Sequence, residues 1–590
     1  MTKTIKKNVG VILHRDGVTF RVWAPFANSV AVSGSFNNWT QSPLTSENDG
    51  YWSTDISNAQ AGQEYKFVIG SGDKLLYKND PRSLQVTTSA GNSIIVDPQF
   101  DWGEDNFKIP PKSAQIFYEL HVGTFNRLDP STSGNFETAA QKLDYLAELG
   151  ITMIELMPIG TMAMDRGWGY ATDYIYAVES LYGGRHQFLE FVKAAHKRGI
   201  GIVLDVVFNH FGPDGGLDLW QFDGWSQDGK GGIYFYNDWR SQTPWGETRP
   251  DYGRPEVAQY ILDNVRMWMY HCHLDGLRLD STIYIRNVMG NNNDPDHDIA
   301  DGWNLMQRIN NLARKIKPEA IMIAEDVSGN EYMTKPQAEG GAGFSAQWEV
   351  NFPHLLRNAI DALDDANRDL NSINSALLGQ YNGDVFQRII YCDSHDSAAN
   401  GGARLSEEIA PGHVDSVFAA RRSLIAASIV LTAPGIPMLL QGQEFMENGS
   451  FNDWQALDWQ KSQKFAGIVL AYRHLIALRK NQYGHTAGLM GQSIKVLQLD
   501  QQPKVLVYHR WDQGGPGDDV VIAINFANQT LKDYNITFPR NGSWITRFNS
   551  DWKGYSPSFK DLKTPSLNVE NNSGKINLGP YSVLVLSQDN

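Results

Sequence analysis

The sequence predicts a multidomain protein: a central (β/α)8 TIM barrel between an N-terminal and a C-terminal β-sandwich. Three observations predict it. First, four short apolar runs, at 202–207, 274–279, 321–324 and 388–392, end in acids or histidines. Such runs make strands buried on both faces, and a carboxyl at the end of one is costly unless it is partnered or working. Four strands that end this way suggest one site at the mouth of a parallel barrel. Second, strand and helix patterns alternate eight times between residues 115 and 483. Third, the segments at either end carry the two-residue alternation of half-buried strands.

Residues 1–108 read as all-β. Gly17-Val18-Thr19-Phe20-Arg21-Val22-Trp23-Ala24 alternates, as does Ser29-Val30-Ala31-Val32-Ser33-Gly34, between turn residues such as Asn48-Asp49-Gly50. Ile109-Pro110-Pro111-Lys112 is a stiff joint. The barrel region, 115–483, begins with a strand at 116–120 and an amphipathic helix over 136–149, apolar at Phe136, Ala139, Leu143, Leu146 and Leu149. A strand at 151–157, a helix at 186–197 and a strand at 202–207 follow. A long loop rich in Gly and Trp then leads to a helix over 255–270 and the fourth strand. The remaining strands are expected at 321–324, 347–350, 388–392 and 436–441, with a closing helix at 464–479. Residues 490–590 return to strands, at 504–508, 520–524 and 581–586.

At 590 residues the chain exceeds one domain, and 42% hydrophobic with 20% charged residues is ordinary for a soluble protein. A net charge of -15 makes nucleic acid and anionic membranes poor partners. The apolar run at 424–440 holds Pro434 and Pro437 and reads as a helix then a strand, not a membrane span. The basic start, Met1 to Lys7, precedes an apolar stretch from Val9 to Leu13 that is too short for a signal peptide. Cys272 and Cys392 lie beside expected buried strands, so free thiols and a cytoplasmic location are expected. His271-Cys272-His273 has metal-ligand residue types, but in an extended segment its side chains point to alternate faces, so no metal is expected there.

The strand-end clusters are Asp205-Val206-Val207-Phe208-Asn209-His210, Gly276-Leu277-Arg278-Leu279-Asp280, Glu325-Asp326-Val327-Ser328 and Ser394-His395-Asp396. In order and spacing they resemble the four signature regions of the α-amylase superfamily, glycoside hydrolase family 13, which acts on α-glucans. The N-terminal segment is similar to the immunoglobulin-like glycogen-binding β-sandwich that precedes the barrel in branching and debranching members. The C-terminal sandwich resembles the family's usual tail. The resemblance implies Asp280 as nucleophile, Glu325 as general acid/base and Asp396 as the clamp on the donor sugar's hydroxyls. It also implies His210 and His395 as partners of sugar hydroxyls and Tyr170 as an aromatic platform. Trp168, two residues before Tyr170, is a further candidate, and Asp205 supports the site.

Elementary chemistry agrees with those roles. A retaining glycosidase needs one ionised carboxylate and one protonated carboxyl at the scissile bond. Arg278 stands two residues before Asp280, points the same way along a strand and can keep it ionised. Glu325 has no basic neighbour in sequence and follows an apolar run, so burial is expected to keep it protonated. No cofactor is expected. Asn209 matches a calcium-binding position of many members, but Asp214, Asp218, Asp223, Asp228 and Asp238 lack tight ligand spacing, so calcium is not predicted.

The expected substrate is an α-glucan polysaccharide or oligosaccharide. Ala324-Glu325-Asp326-Val327-Ser328-Gly329 most resembles branching enzymes, which favours 1,4-α-glucan branching over hydrolysis of starch, glycogen or maltooligosaccharides. Ser281-Thr282 and Ser397 depart from that group on the acceptor side. Thr243-Pro244-Trp245-Gly246 is similar to trehalose-releasing hydrolases of the superfamily, a third reading. A non-catalytic glucan-binding protein, the reading from another class, would be expected to have lost at least one of the three acids.

Overall fold

The computed structural model describes residues 8–164, 166–212 and 217–590. The basic start at 1–7 and Asp214 lie outside the described residues. Eight parallel strands close into a barrel in chain order: Phe117–Leu120, Met153–Leu156, Gly201–Val206, Gly276–Leu279, Ile321–Ala324, Ala346–Trp348, Arg388–Ile390 and Ile436–Leu440. All are buried, because helices cover the outside and side chains fill the inside.

Strand periodicity builds the interior in layers. Phe117, Met153, Val203, Ile323, Trp348, Ile389 and Met438 pack together as an apolar plug. Two residues further along the first three strands, on the same face, stand Glu119, Glu155 and Asp205, and Arg278 joins them from the fourth. Register then sets the neighbours: Glu119 lies opposite Glu155, and Asp205 opposite Arg278. A polar layer therefore rests on a dry floor, at the strand ends where barrel loops begin.

The helical layer differs from expectation in two places. The helix expected over 136–149 is two, Phe136–Ala140 and Leu143–Leu149, both keeping their apolar residues buried. At the break, the Lys142 ammonium lies 4.1 Å from the centre of the Trp459 ring. The helix expected over 255–270 is α-helical only for Pro255–Arg266 and continues as a π-helical turn, Met267–His271. The segment His271-Cys272-His273 is thus not extended: it closes that turn. Cys272 Sγ accepts a hydrogen bond from Arg185 at 3.3 Å, and His273 stacks on Trp102 while its Nδ1 bonds Asp105 at 2.7 Å. Among the described residues no group of three or more His, Cys, Asp or Glu is placed to hold a metal ion. No helix among them is long and apolar enough to cross a membrane.

The N-terminal sandwich packs a four-stranded sheet, with Gly10–His14 and Gly17–Trp23, on a five-stranded one built around Glu64–Ser71. Its hydrogen bonds to the barrel are specific. Arg82 donates to Tyr176 Oη at 2.9 Å and pairs with Asp263 at 2.8 Å, and Tyr260 Oη donates to the Pro81 carbonyl at 2.9 Å. At the other end a six-stranded sheet and a two-stranded one form the C-terminal sandwich. Buried Arg421 ties it to the barrel through Asp551 and the Pro580 carbonyl.

Gly276 opens the fourth strand where no side chain fits: a Cβ there would lie 1.9 Å from the Ile321 carbonyl oxygen. Gly276→Ala must push two barrel strands apart. It is expected to cost about 1–3 kcal/mol or more, read as a lower midpoint in urea unfolding.

Candidate active site

The site is organised around Arg278, which is fully buried at the mouth of the barrel. One nitrogen, Nη1, donates to Asp205 at 2.6 Å and to Asp280 at 2.9 Å. The other, Nη2, lies 3.0 Å from Glu325 Oε2, an ion-pair distance without the alignment of a hydrogen bond. One cation therefore gathers carboxyls from the ends of strands three, four and five. Asp280 is held further by Asn209, whose Nδ2 donates to its Oδ2 at 2.7 Å and to its carbonyl at 2.9 Å.

The backbone after Asp280 turns sharply. Ser281 adopts the left-handed region at φ 41°, unusual for a residue with a side chain, and its N–H donates to Glu325 Oε2 at 2.8 Å. Thr282 adds two bonds to the Glu325 carbonyl, from its N–H and its hydroxyl, both at 2.8 Å. The turn after one acid thus fixes the position of the next. Asp326, the other half of the acidic pair, is spent on Arg286, whose Nε donates to it at 2.9 Å.

Glu325 does have a basic neighbour, which the linear sequence conceals: Arg278 reaches it across one strand. Burial is nevertheless the larger influence and, with the Asp280 and Asp396 charges adding to it, pushes the Glu325 carboxyl up to about 8 against the pull of Arg278. Two acids beside one cation are thereby differentiated. Asp280 accepts two well-aligned hydrogen bonds from charged or amide donors, and Glu325 keeps its proton at neutral pH.

A second chain of contacts runs across the barrel. His395 Nδ1 bonds Glu119 at 2.5 Å and its backbone N–H donates to the same carboxylate at 2.9 Å. Burial opposes a charge on His395, yet Asp396 and Glu119 together push it up to about 10, so it is an imidazolium. Its Nε2 lies 3.0 Å from Tyr170 Oη and 3.4 Å from Asp396. The Tyr170 hydroxyl donates in turn to Asp205 at 2.6 Å, which returns the chain to Arg278. The Tyr170 ring also stacks on His395, with centroids 5.3 Å apart. Trp168 packs edge-on against His395 at 5.5 Å and against Phe451. Asp396, 46% exposed, stands at the open rim.

On the other side, buried His210 bonds Asn209 through Nδ1 and stacks on Trp245 at 4.7 Å. Burial holds its imidazole down to about 4, so it is neutral. Trp245 is 46% exposed and meets Tyr284 edge-on at 5.3 Å. The structure thus brings Asp280, Glu325, Asp205, Arg278, Tyr170, His395, Asp396, Trp168 and His210 into one connected constellation. Sequence reasoning missed Glu119 and Trp245 as members. An acid inside the apolar first strand was the available signal for Glu119.

Of the side chains named with the calcium position, those of Asn209, Asp218, Asp223 and Asp238 are engaged in contacts of their own. The Asn209 side chain is committed to His210 and Asp280. Asp218 accepts from Asn79 and Tyr174, Asp223 from Phe26 and Trp225, and Asp238 pairs with Arg240.

A closed eight-stranded barrel with differentiated carboxyls around one guanidinium defines a glycosidase-type centre. Comparison with known proteins agrees. The family profile described as alpha amylase, catalytic domain, matches residues 119–217 and 218–469. Alpha amylase, C-terminal all-beta domain, matches 497–589, and carbohydrate-binding module 48 (isoamylase N-terminal domain) matches 8–83. The chain belongs to the α-amylase family and is one of its glycosidases or transglycosidases, with a module of the carbohydrate-binding module 48 type in front of the barrel. It is 28% identical over 92% of its length to the 1,4-alpha-glucan branching enzyme of Corynebacterium jeikeium, of which it covers 78%. It is 31% identical over 75% of its length to the malto-oligosyltrehalose trehalohydrolase of Saccharolobus solfataricus, of which it covers 76%. Among solved structures, the putative alpha amylase of Salmonella typhimurium aligns over 99% of this chain and 100% of its own with a TM-score of 0.74 at 23% identity. A pullulanase from Anoxybacillus aligns over 98% of this chain and 87% of its own with a TM-score of 0.77 at 20% identity. At those identities the two structures speak for the fold alone.

The Glu325 shift has consequences for pH. A general acid works only while protonated, so kcat/KM is expected to fall as pH rises through about 8, with Glu325 as the titrating group. Glu325→Gln is expected to lower kcat by about 10²–10⁴ on substrates with poor leaving groups. Folded-state stability is expected to be full below the ordinary carboxylate range and to decline toward about 8, because the folded chain keeps a proton the unfolded chain has released. Urea melts at pH 5 and pH 8 check this: the decline should shrink in Glu325→Gln.

Proposed function

We propose that the chain is a retaining 1,4-α-glucan branching enzyme, with Asp280 as nucleophile, Glu325 as general acid/base and Asp396 as the clamp on the donor sugar. In the first step Asp280 attacks the anomeric carbon while Glu325 gives its proton to the departing glycosidic oxygen, leaving a glycosyl ester on Asp280. In the second step the 6-hydroxyl of another glucan chain gives its proton to Glu325 and attacks that ester, which restores Asp280 and forms an α-1,6 bond. Arg278 stabilises the Asp280 carboxylate in the free enzyme, and the fixed His395–Tyr170–Asp205 chain keeps the donor-side wall in place. The observation that carries this reading is the extent of similarity. Relatives named 1,4-alpha-glucan branching enzyme align across sandwich, barrel and tail together, over 92% of this chain in Corynebacterium jeikeium and 97% in Bacillus cereus. Two free, buried thiols fit work in a reducing, cytoplasmic compartment.

Release of the same ester to water is the second reading, and one feature favours it. Trp245, from the Thr243–Gly246 turn, lies over His210. That turn, Thr243-Pro244-Trp245-Gly246, is similar to trehalose-releasing hydrolases, in which water is the acceptor. Ser397, a departure from the branching pattern, is engaged in its own loop, its hydroxyl accepting from the Ser394 N–H at 2.8 Å.

Incubation with amylose separates the two. Branching is expected to abolish iodine colour and to produce α-1,6 anomeric signals with few new reducing ends. Abundant reducing ends would reject it, and trehalose freed from maltooligosyl trehalose would assign the hydrolase instead. Trp245→Ala is expected to cut the dominant reaction roughly tenfold, the scale of one lost aromatic stack.

A further inference from the structure

We propose that Glu119, inside the first barrel strand, is a positioning residue for the glycosyl transfer: it holds His395 so that Nε2 presents a fixed N–H to a hydroxyl of the donor sugar. The role rests on the reading above, in that His395 meets a donor hydroxyl, and holds whether water or a glucan accepts the glycosyl group. Glu119 and His395 are each 1% exposed, so their contacts are made out of reach of bulk water. Both carboxyl oxygens of Glu119 are spent on this one residue. Oε2 accepts from the His395 backbone N–H at 2.9 Å, and Oε1 bonds Nδ1 at 2.5 Å.

Two contacts to one residue fix more than its place. The first positions the loop after strand seven, and the second sets the turn of the ring about its side chain. The barrel holds Glu119 in its turn, between Glu155 on strand two and Leu440 on strand eight, and its carbonyl accepts from the Gln441 N–H at 3.0 Å. Rings close around the imidazole: Tyr170 stacks on it, and the centroids of Trp168, Trp348 and Phe451 lie 5.5, 6.0 and 6.2 Å away. Nε2 reaches Asp396, on the open rim, at 3.4 Å.

The same contact orders hydrogens. Nδ1 faces a carboxylate, so it carries a hydrogen, and a charged ring carries a second one on Nε2, which then donates and cannot accept. The Tyr170 hydroxyl, 3.0 Å from Nε2, therefore sends its hydrogen to Asp205 at 2.6 Å. One acid on strand one thus sets the hydrogens from His395 to the carboxylate that Arg278 holds. Without the Glu119 charge the ring would become neutral more readily, and a hydrogen kept on Nδ1 would leave Nε2 an acceptor. Nε2 would then compete with Asp205 for the Tyr170 hydrogen and offer no N–H to the sugar. Among the groups around the ring, burial opposes its charge, Asp396 and Glu119 favour it, and Arg278 opposes it. Asp396 is 46% exposed and screened by water, whereas Glu119 is not. His121, held down to about 4 by burial with the His395 charge adding to it, is neutral. Glu155 and Tyr391, both pushed up above all by burial, border Glu119.

NMR of the full chain labelled with nitrogen-15 histidine reads the ring, with His395→Gln assigning its signals. Initial rates on amylose, counted as new reducing ends plus new α-1,6 bonds, read the transfer whichever acceptor is used. In the unaltered protein both His395 ring nitrogens are expected to carry hydrogen from about pH 6 to about pH 8. Glu119→Gln is expected to bring deprotonation of the ring into that range and to lower kcat/KM at neutral pH about tenfold, the scale of one lost charge-assisted hydrogen bond. Because the charged ring is the working form, kcat/KM of Glu119→Gln should fall as pH rises through the lowered His395 value, ahead of the Glu325 limb at about 8. A uniform loss at every pH, with the ring still charged, would reduce Glu119 to packing and overturn the proposal. So would a neutral His395 ring at neutral pH in the unaltered protein, a result that stands even if Glu119→Gln fails to fold. Failure of the branching reading would show instead as reducing ends alone, and leaves both tests of Glu119 in place.

Discussion

A single buried cation sets the terms for the centre of this protein. Arg278 has no exposure to water and reaches three carboxyls, on strands three, four and five. Removing it would leave those acids to repel one another in a dry space, a change on the order of 3–5 kcal/mol for a broken buried pair. Its asymmetry matters as much as its charge. Two acids receive aligned hydrogen bonds from Nη1, while Glu325 receives only proximity to Nη2. Burial, the larger influence, lifts the Glu325 carboxyl to about 8 against the pull of that guanidinium.

The barrel makes that arrangement rigid. Strand register places Arg278 beside Asp205 before any side chain chooses a rotamer. The apolar plug of Phe117, Met153, Val203 and Trp348 beneath excludes water, so each charge above it acts at low dielectric. Glu155, in the same polar layer, is pushed well above its ordinary value by burial. The Glu119–His395 pair then adds a second cation, bonded through Tyr170 to the first network. Strands one, three, four and seven are joined by polar contacts as well as by their ladder.

Much of this was legible in the sequence. The eight alternations gave the barrel because apolar runs bounded by turn residues alternate with a 3.6-residue period, and both signals are local. The acids at strand ends stood out because a carboxyl following a buried run needs a reason. Less visible were features whose partners are distant. Glu119 lies inside an apolar strand and acquires meaning only from His395, far along the chain. Trp245 stands out in the sequence only as part of the Thr243–Gly246 turn, and its place at the site appears when the fold lays it on His210. The π-helical turn at Met267–His271 defeated the extended reading of the next residues, because tertiary packing of Met267, Trp268 and Met269 sets it and local propensity does not.

By itself, then, the sequence determined the architecture and nominated the reacting acids, since periodicity and the cost of burying charge are properties of short stretches. The sequence also expects Glu325 to keep its proton through burial, and only the tertiary structure shows the charge that opposes it. Glu325 has no basic residue near it in the chain, yet it sits 3.0 Å from the guanidinium that also serves Asp280, and the balance between burial and that charge is a matter of distance and alignment in space. The physical reason is that desolvation and Coulomb interactions depend on what surrounds a group in three dimensions, and chain order carries no record of it.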